Sequence, residues 1–282
     1  MRIARHGDAG SERPIVSDDD GGWFDLTPVT ADVTPEFLRE GIGAARMALE
    51  NGELQPVPVL GRFGSPITRP GKIVCIGLNY RDHAIESGAA IPTEPVVFFK
   101  APDTMIGPDD VVLIPRGSTK TDWEVELAVV IGQTARYLAS ESDALACIAG
   151  YAISHDVSER EFQLERGGQW DKGKSCETFN PFGPWITTAD AVADPQNLEL
   201  RLSVNGIQRQ LGNSANMIFS IAEIIRYLSQ FMVLYPGDVI NTGTPAGVAL
   251  GEPDPKPYLR AGDTVELEID GLGRQRQLLQ EA

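Results

Sequence analysis

At 282 residues and 30.5 kDa, with 42% hydrophobic and 23% charged residues, the chain has the composition of a globular protein with a sizeable core. Its 24 basic and 40 acidic residues leave a formal charge of −16, which disfavours nucleic acid and anionic membranes as partners. Three cysteines without a Cys-x-x-Cys spacing suggest neither a disulfide framework nor a zinc ribbon. With no signal-peptide core and no apolar run of bilayer length, the chain is expected to be cytoplasmic.

Residues 1–69 are expected to form a small leading α/β module and linker, and residues 70–282 the main domain. Arg2–Arg5, Pro14–Val16 and Trp23–Leu26 are short strand candidates, with an acid-rich turn at Asp18–Gly22. Thr34 is a plausible N-cap with Pro35 at the first helical position, and the helix should end before Gly52. The Pro- and Gly-rich stretch Pro56–Gly71 is expected to be a linker. Lys72–Gly77 is a buried strand candidate, followed by Arg81-Asp-His83-Ala-Ile-Glu86. If that segment is helical, His83 and Glu86 are neighbours on one face, and a carboxylate there would orient the imidazole. The loop Ser87–Pro95 could then act as a lid.

Val96–Lys100 and Val111–Pro115 are further strand candidates. A strand from Asp122 to Gly132 follows, in which Asp122, Glu124 and Glu126 alternate with Trp123, Val125 and Leu127 before an all-apolar run. Such a strand carries carboxylates to the edge of a core, where they are either solvated or held by a hard cation such as Mg²⁺, Mn²⁺ or Ca²⁺. Gly150–Asp156 is a strand ending in a third acid. Ser158–Arg166 is expected to be a charged surface helix, although Arg160 and Gln163 could contact a substrate. Lys174 lies in a glycine-spaced basic loop, and Phe179–Pro184 is expected to be a rigid turn. A hairpin is expected around Asn205-Gly206, a capped core helix from Ser220, and a tight carboxylate-binding loop at Asn241–Pro245. An alternating strand over Thr264–Ile269 is expected to close the chain. Strands outnumber helices without a βαβ repeat, which predicts an α+β fold with a rolled, mixed sheet.

Taken together, Ile76-Gly-Leu-Asn-Tyr80, His83-x-x-Glu86, Phe98-Phe-Lys100, Asp122-Trp-Glu-Val-Glu126, Asp156-Val-Ser158, Lys174 and Thr242-Gly-Thr-Pro245 resemble the fumarylacetoacetate hydrolase superfamily. The resemblance covers Arg69 to Gln277 and implies the family's mixed β-roll, usually as a homodimer. It also implies that Glu124, Glu126 and Asp156 bind Mg²⁺ or Mn²⁺, that His83 and Glu86 activate water, and that Lys174 is the cation at the substrate. Arg81, Lys100, Arg160, Gln163 and Thr244 are candidate substrate-binding residues. Asp122, whose position in the family motif is not one that ligates, is expected either to support the ligands from behind or to pair with a nearby cation. His155 stands where many members carry Asn.

The implied reaction is metal-dependent C–C hydrolysis of an acylpyruvate, a 2,4-dioxo acid, to pyruvate and a second acid. The leading module and Arg116–Glu126 resemble the branch acting on 2,4-dioxo-3-deoxy sugar acids. Oxo-acid decarboxylation or tautomerisation, of oxaloacetate or 2-hydroxyhepta-2,4-diene-1,7-dioate type, and ureidoglycolate lysis are the alternatives.

Overall fold

The structure is a computed structural model describing every residue except Asp19, Ser87 and Ala89. The first strands are β1 Arg2–His6, β2 Arg13–Ser17, β3 Trp23–Asp25, β4 Ile73–Gly77, β5 Val96–Lys100 and β6 Met105–Ile106. Then come β7 Val112–Ile114, β8 Thr121–Asp122, β9 Val125–Ile131, β10 Ile148–His155, β11 Ser158–Glu159 and β12 Asn180–Thr188. The last are β13 Glu199–Val204, β14 Ile207–Asn213, β15 Val239–Asn241, β16 Thr264–Ile269 and β17 Gly273–Glu281. Short helices are interspersed: α1 Ile42–Glu50, α2 Arg81–Glu86, α3 Glu141–Leu145, α4 Asp171–Lys174 and α5 Ile221–Leu228.

A ten-stranded mixed sheet runs in the order β3-β2-β1-β12-β10-β9-β15-β4-β5, with β6 paired to β12. The leading strands therefore continue the main sheet, through the antiparallel pairing of β1 with β12. A second sheet, β14-β13-β16-β17-β7, packs on one face. Val125, Leu127, Val129 and Ile131 of β9 share a core with Leu202, Leu267 and Leu279 of that sheet and with α5. Ala128 and Val130, on the opposite face of β9, pack with Ile3, Val16, Phe37 and Leu38. Burial on both faces explains the unbroken apolar run after Glu126. The mixed α+β architecture expected from the sequence is observed.

Four local expectations are corrected. The strand expected from Asp122 is broken: β8 pairs with β11, and β9 begins only at Val125. Ser158–Arg166 is not a solvated surface helix, because it opens as β11 and then makes a wide helical turn with Arg160 and Gln163 buried. The expected turn at Phe179–Pro184 is largely β12, which accommodates Pro181 where it pairs in parallel with β6. Finally, the chain closes with β17 rather than β16. Inward positions Gln275 and Gln277 of β17 are buried glutamines that satisfy backbone carbonyls, so its alternation is not apolar against polar.

Candidate active site

The antiparallel pairing of β10 with β9 sets His155 against Val125, and the Asp156 amide donates to the Glu124 carbonyl at 3.0 Å. That register brings Asp156 beside Glu124 and Glu126, and one oxygen from each of the three carboxylates lies within 4.8 Å of the others. All three side chains are buried. Unpaired charge is costly there, and the surroundings supply cations. Lys174 Nζ donates to Glu124 Oε2 at 2.7 Å and to Asp156 Oδ2 at 2.8 Å. Arg160 reaches Glu124 Oε1 at 2.6 Å and Asp122 Oδ2 at 2.8 Å, so Asp122 does pair with a cation. Lys100 bonds Asp156 Oδ1 and the Val157 carbonyl. In this cluster Asp122, Glu124, Glu126 and Asp156 share three cations, Lys100, Arg160 and Lys174, leaving one carboxylate in excess.

The excess falls on Glu126. Its Oε2 accepts from the Gly243 amide at 2.7 Å, and no described cation pairs with it directly. Burial and the charges of Asp156 and Glu124 push its carboxyl well above the usual range. Burial also raises Glu124, but Lys174 and Arg160 outweigh it and hold that carboxyl well below its ordinary value. Burial lowers the Lys174 ammonium, yet Asp156 and Glu124 more than compensate and raise it. His155, on the strand before Asp156, is held neutral by burial, which lowers it to about 4.

These elements border a cleft of about 220 Å³ lined by His83, Glu124, Glu126, Arg160, Gln163, Lys174 and Thr244 among apolar Leu78, Phe98, Leu164, Trp170 and Leu250. His83 enters on α2, with Nδ1 3.4 Å from Glu86 Oε2. Glu86 is itself fixed by the Gly247 amide, at 3.0 and 3.1 Å. Lys174 reaches the cluster because α4 lies close against Glu159–Gln163. A Cβ on Gly173 would stand 2.3 Å from the Glu159 carbonyl oxygen and 2.5 Å from the Gln163 amide nitrogen.

The remaining candidates are placed unevenly. Arg160 and Gln163 line the cleft and bond each other at 3.0 Å. Lys100 is buried behind Asp156 and does not line the cleft. Arg81 is exposed and also absent from its walls. Thr244 lines the cleft, but its hydroxyl donates to the Val125 carbonyl at 2.8 Å. The loop candidate Ser87–Pro95 includes Ser87 and Ala89, which lie outside the described residues.

The donor set fits a divalent cation. It consists of acceptor-only oxygens on rigid strand ends, one of them without a cationic partner, and such a set suits Mg²⁺ or Mn²⁺ rather than a soft metal. Residues 72–280 match the fumarylacetoacetate (FAA) hydrolase C-terminal family. The chain belongs to the fumarylacetoacetate hydrolase family. Within that enzyme family it is 49% identical over 281 residues to a 2,4-didehydro-3-deoxy-L-rhamnonate hydrolase from Sphingomonas, covering 100% of this chain and 96% of the relative. Among solved structures of similar fold is a maleylpyruvate hydrolase from Sphingobium in complex with manganese(II) and pyruvate. It shows 31% identity and a TM-score of 0.81, with 100% of each chain covered. A probable 2-hydroxyhepta-2,4-diene-1,7-dioate isomerase from Mycobacterium abscessus gives 33% and 0.83, covering 100% of this chain and 99% of that one.

Proposed function

We propose that the chain hydrolyses the C3–C4 bond of a 2,4-dioxo acid, releasing pyruvate and a second carboxylic acid, with a 2,4-dioxo-3-deoxy sugar acid as the substrate class. The observation that carries this reading is the convergence of three buried carboxylates beside a cleft that two of them, Glu124 and Glu126, line together with an oriented histidine. The similar rhamnonate hydrolase and the manganese–pyruvate complex of a relative support it.

Glu124, Glu126 and Asp156 would hold the divalent cation, Mg²⁺ or Mn²⁺, which when bound supplies a Lewis acid for the carboxylate and 2-oxo oxygens. The remaining work falls to side chains. With Nδ1 engaged by Glu86, His83 has Nε2 available to take a proton from a water attacking C4. As the C3–C4 bond breaks, its electron pair passes to C3, and atoms balance when that proton is delivered there. Lys174 has three N–H donors and spends two on Glu124 and Asp156, leaving one for a substrate oxygen. Gln163 and Arg160 line the same cleft and are placed to orient the acid. By the family resemblance the chain works as a homodimer, which sedimentation equilibrium would read directly. No described helix is long and apolar enough to cross a membrane.

The test is pyruvate release from a panel of acylpyruvates, including 2,4-dioxo-3-deoxy sugar acids, with Mg²⁺ or Mn²⁺ and with chelator. Metal-dependent pyruvate is expected, and none from any substrate would sink the proposal. The similar isomerase favours a second reading, tautomerisation of an oxo-acid, with oxo-acid decarboxylation the other alternative. They predict a changed absorbance and released CO₂, respectively, without C3–C4 cleavage.

A further inference from the structure

Gln210 belongs to β14, at the edge of the second sheet, yet its side chain is fully buried against the candidate site. Each hydrogen-bonding group of its amide is used. Oε1 accepts from the Val125 amide at 2.9 Å, while Nε2 donates to Thr244 Oγ1 and to the Pro245 carbonyl, both at 2.8 Å. Val125 is the residue between Glu124 and Glu126, at the point where β8 has ended and β9 begins. Its amide faces away from a regular ladder partner there and is met by a side chain instead. Thr244 and Pro245 belong to the loop whose Gly243 amide holds Glu126, and the same loop continues to Gly247, whose amide holds Glu86.

The contacts around Gln210 are close in the same direction. A Cβ on Gly212 would stand 2.4 Å from the Pro245 side chain, and one on Gly247 would stand 2.0 Å from the Arg209 carbonyl oxygen. Trp123 Nε1 donates to the Gly247 carbonyl at 3.0 Å, and Arg209 lies over the Trp123 ring. β14 thus clamps both walls of the cleft, the strand carrying the carboxylates and the loop behind Glu126 and Glu86.

We propose that Gln210 is a positioning residue that fixes Glu124 and Glu126 relative to the Gly243–Gly247 loop, and so couples the spacing of the metal-binding carboxylates to the orientation of the His83–Glu86 pair. It touches neither substrate nor reacting atoms. The inference rests on the metal-binding part of the proposed function, but one of its readouts needs no metal. Supporting groups behind metal ligands commonly change metal affinity 10–100-fold when removed.

The experiment compares Gln210→Leu with Gln275→Leu. Gln275 is a similarly buried glutamine that donates to the Ile153 and Gly183 carbonyls and accepts from Gln277 Nε2, with no bond to the Glu124–Glu126 segment or to the Gly243–Gly247 loop. Both variants lose buried hydrogen bonds and should lose thermal stability. Mn²⁺ affinity by titration calorimetry is expected to weaken roughly 10–100-fold only in Gln210→Leu. Hydrogen exchange of the metal-free proteins should accelerate at both Gly243 and Gly247 only in that variant. Gln210→Asn, which keeps a neutral amide but shortens the side chain by one methylene and so withdraws it from Val125 and Thr244, serves if the leucine variant does not fold, with the same two readouts expected. Mn²⁺ affinity within twofold of wild type together with unchanged exchange at Gly247 would overturn the proposal, as would equal effects from Gln275→Leu. Should the wild type bind no Mn²⁺, the metal-binding reading fails by itself, and exchange at Gly243 and Gly247 decides the role of Gln210 alone.

Discussion

Replacing Lys174 by Met tests the electrostatic reading of the site most directly. The side chains have similar length, so the perturbation is chiefly loss of the ammonium that bridges Glu124 and Asp156 at 2.7 and 2.8 Å. Removing one partner of a buried ion pair costs about 3–5 kcal/mol, because the partners left behind stay desolvated and uncompensated. For a chain of this size that corresponds to a fall in Tm of roughly 5–8 °C. The assay is urea denaturation at neutral pH, with EDTA and with excess Mn²⁺. In EDTA the variant should show the full loss. With Mn²⁺ the gap to wild type should narrow, since a cation among these carboxylates replaces part of the missing charge and meets less repulsion in the variant. Ligand at 100 times its Kd stabilises a protein by about 2.7 kcal/mol; an equal gain in both leaves the gap as it was, so any narrowing at a common Mn²⁺ concentration measures tighter binding by the variant. A loss below about 1 kcal/mol in EDTA would place Lys174 in the weak regime of exposed pairs and refute the argument. So would a gap that Mn²⁺ leaves unchanged.

Three further outcomes are expected. His83→Gln should lower kcat by about 10²–10⁴-fold while leaving Mn²⁺ affinity near wild type, since the ring acts on a proton and not on the cation; parallel loss of affinity would contradict its assignment. Gly173→Ala must displace the Glu159 and Gln163 backbone, costing about 1–3 kcal/mol of overpacking and shifting Lys174, so turnover should fall more than stability. Remote from the site, burial raises the Glu12 carboxyl, but its bond to Arg62 and the charges of Arg5 and Arg62 bring it below the ordinary value. A depressed folded-state pKa contributes stability above the unfolded value of about 4.3 and loses it as pH falls. The Tm gap between wild type and Glu12→Gln should therefore shrink on acidification below about pH 5, and a constant gap would reject the pairing.

What the sequence disclosed was the part written in local spacing. Glu124, Glu126 and Asp156 stand at strand ends whose apolar continuations announce burial, and His83 and Glu86 sit one helical turn apart. Burial that depends on remote contacts was not legible. Arg160 and Gln163, substrate-binding candidates by resemblance, carry the composition of a solvated helix and are buried where Arg160 meets Asp122, Glu124 and Gln163. Proline and glycine in Phe179–Pro184 signal a turn, yet the stretch pairs with β6 at Asn180 and Pro181 and with β10 at Phe182 and Gly183. Gln275 and Gln277 conceal the inward face of β17, where burial is made tolerable by carbonyls of Ile153, Gly183 and Pro108. Gln210 carried no signal at all, being a polar residue in a hairpin strand whose partners lie 85 and 34 positions away.

The single carboxylate left over in the cluster bears on the order in which molecules arrive. An acylpyruvate, the substrate proposed above, would be an anion approaching a chain of formal charge −16 and a carboxylate cluster with one acid more than its paired cations. A divalent cation would turn that local deficit of one into a surplus of one, so cation first and acid second is the favoured sequence of addition. The encounter would also run against the field of the whole molecule. Added salt should then speed capture of the acid by screening beyond about 8 Å at physiological ionic strength, the reverse of the slowing seen where charge steers a ligand inward.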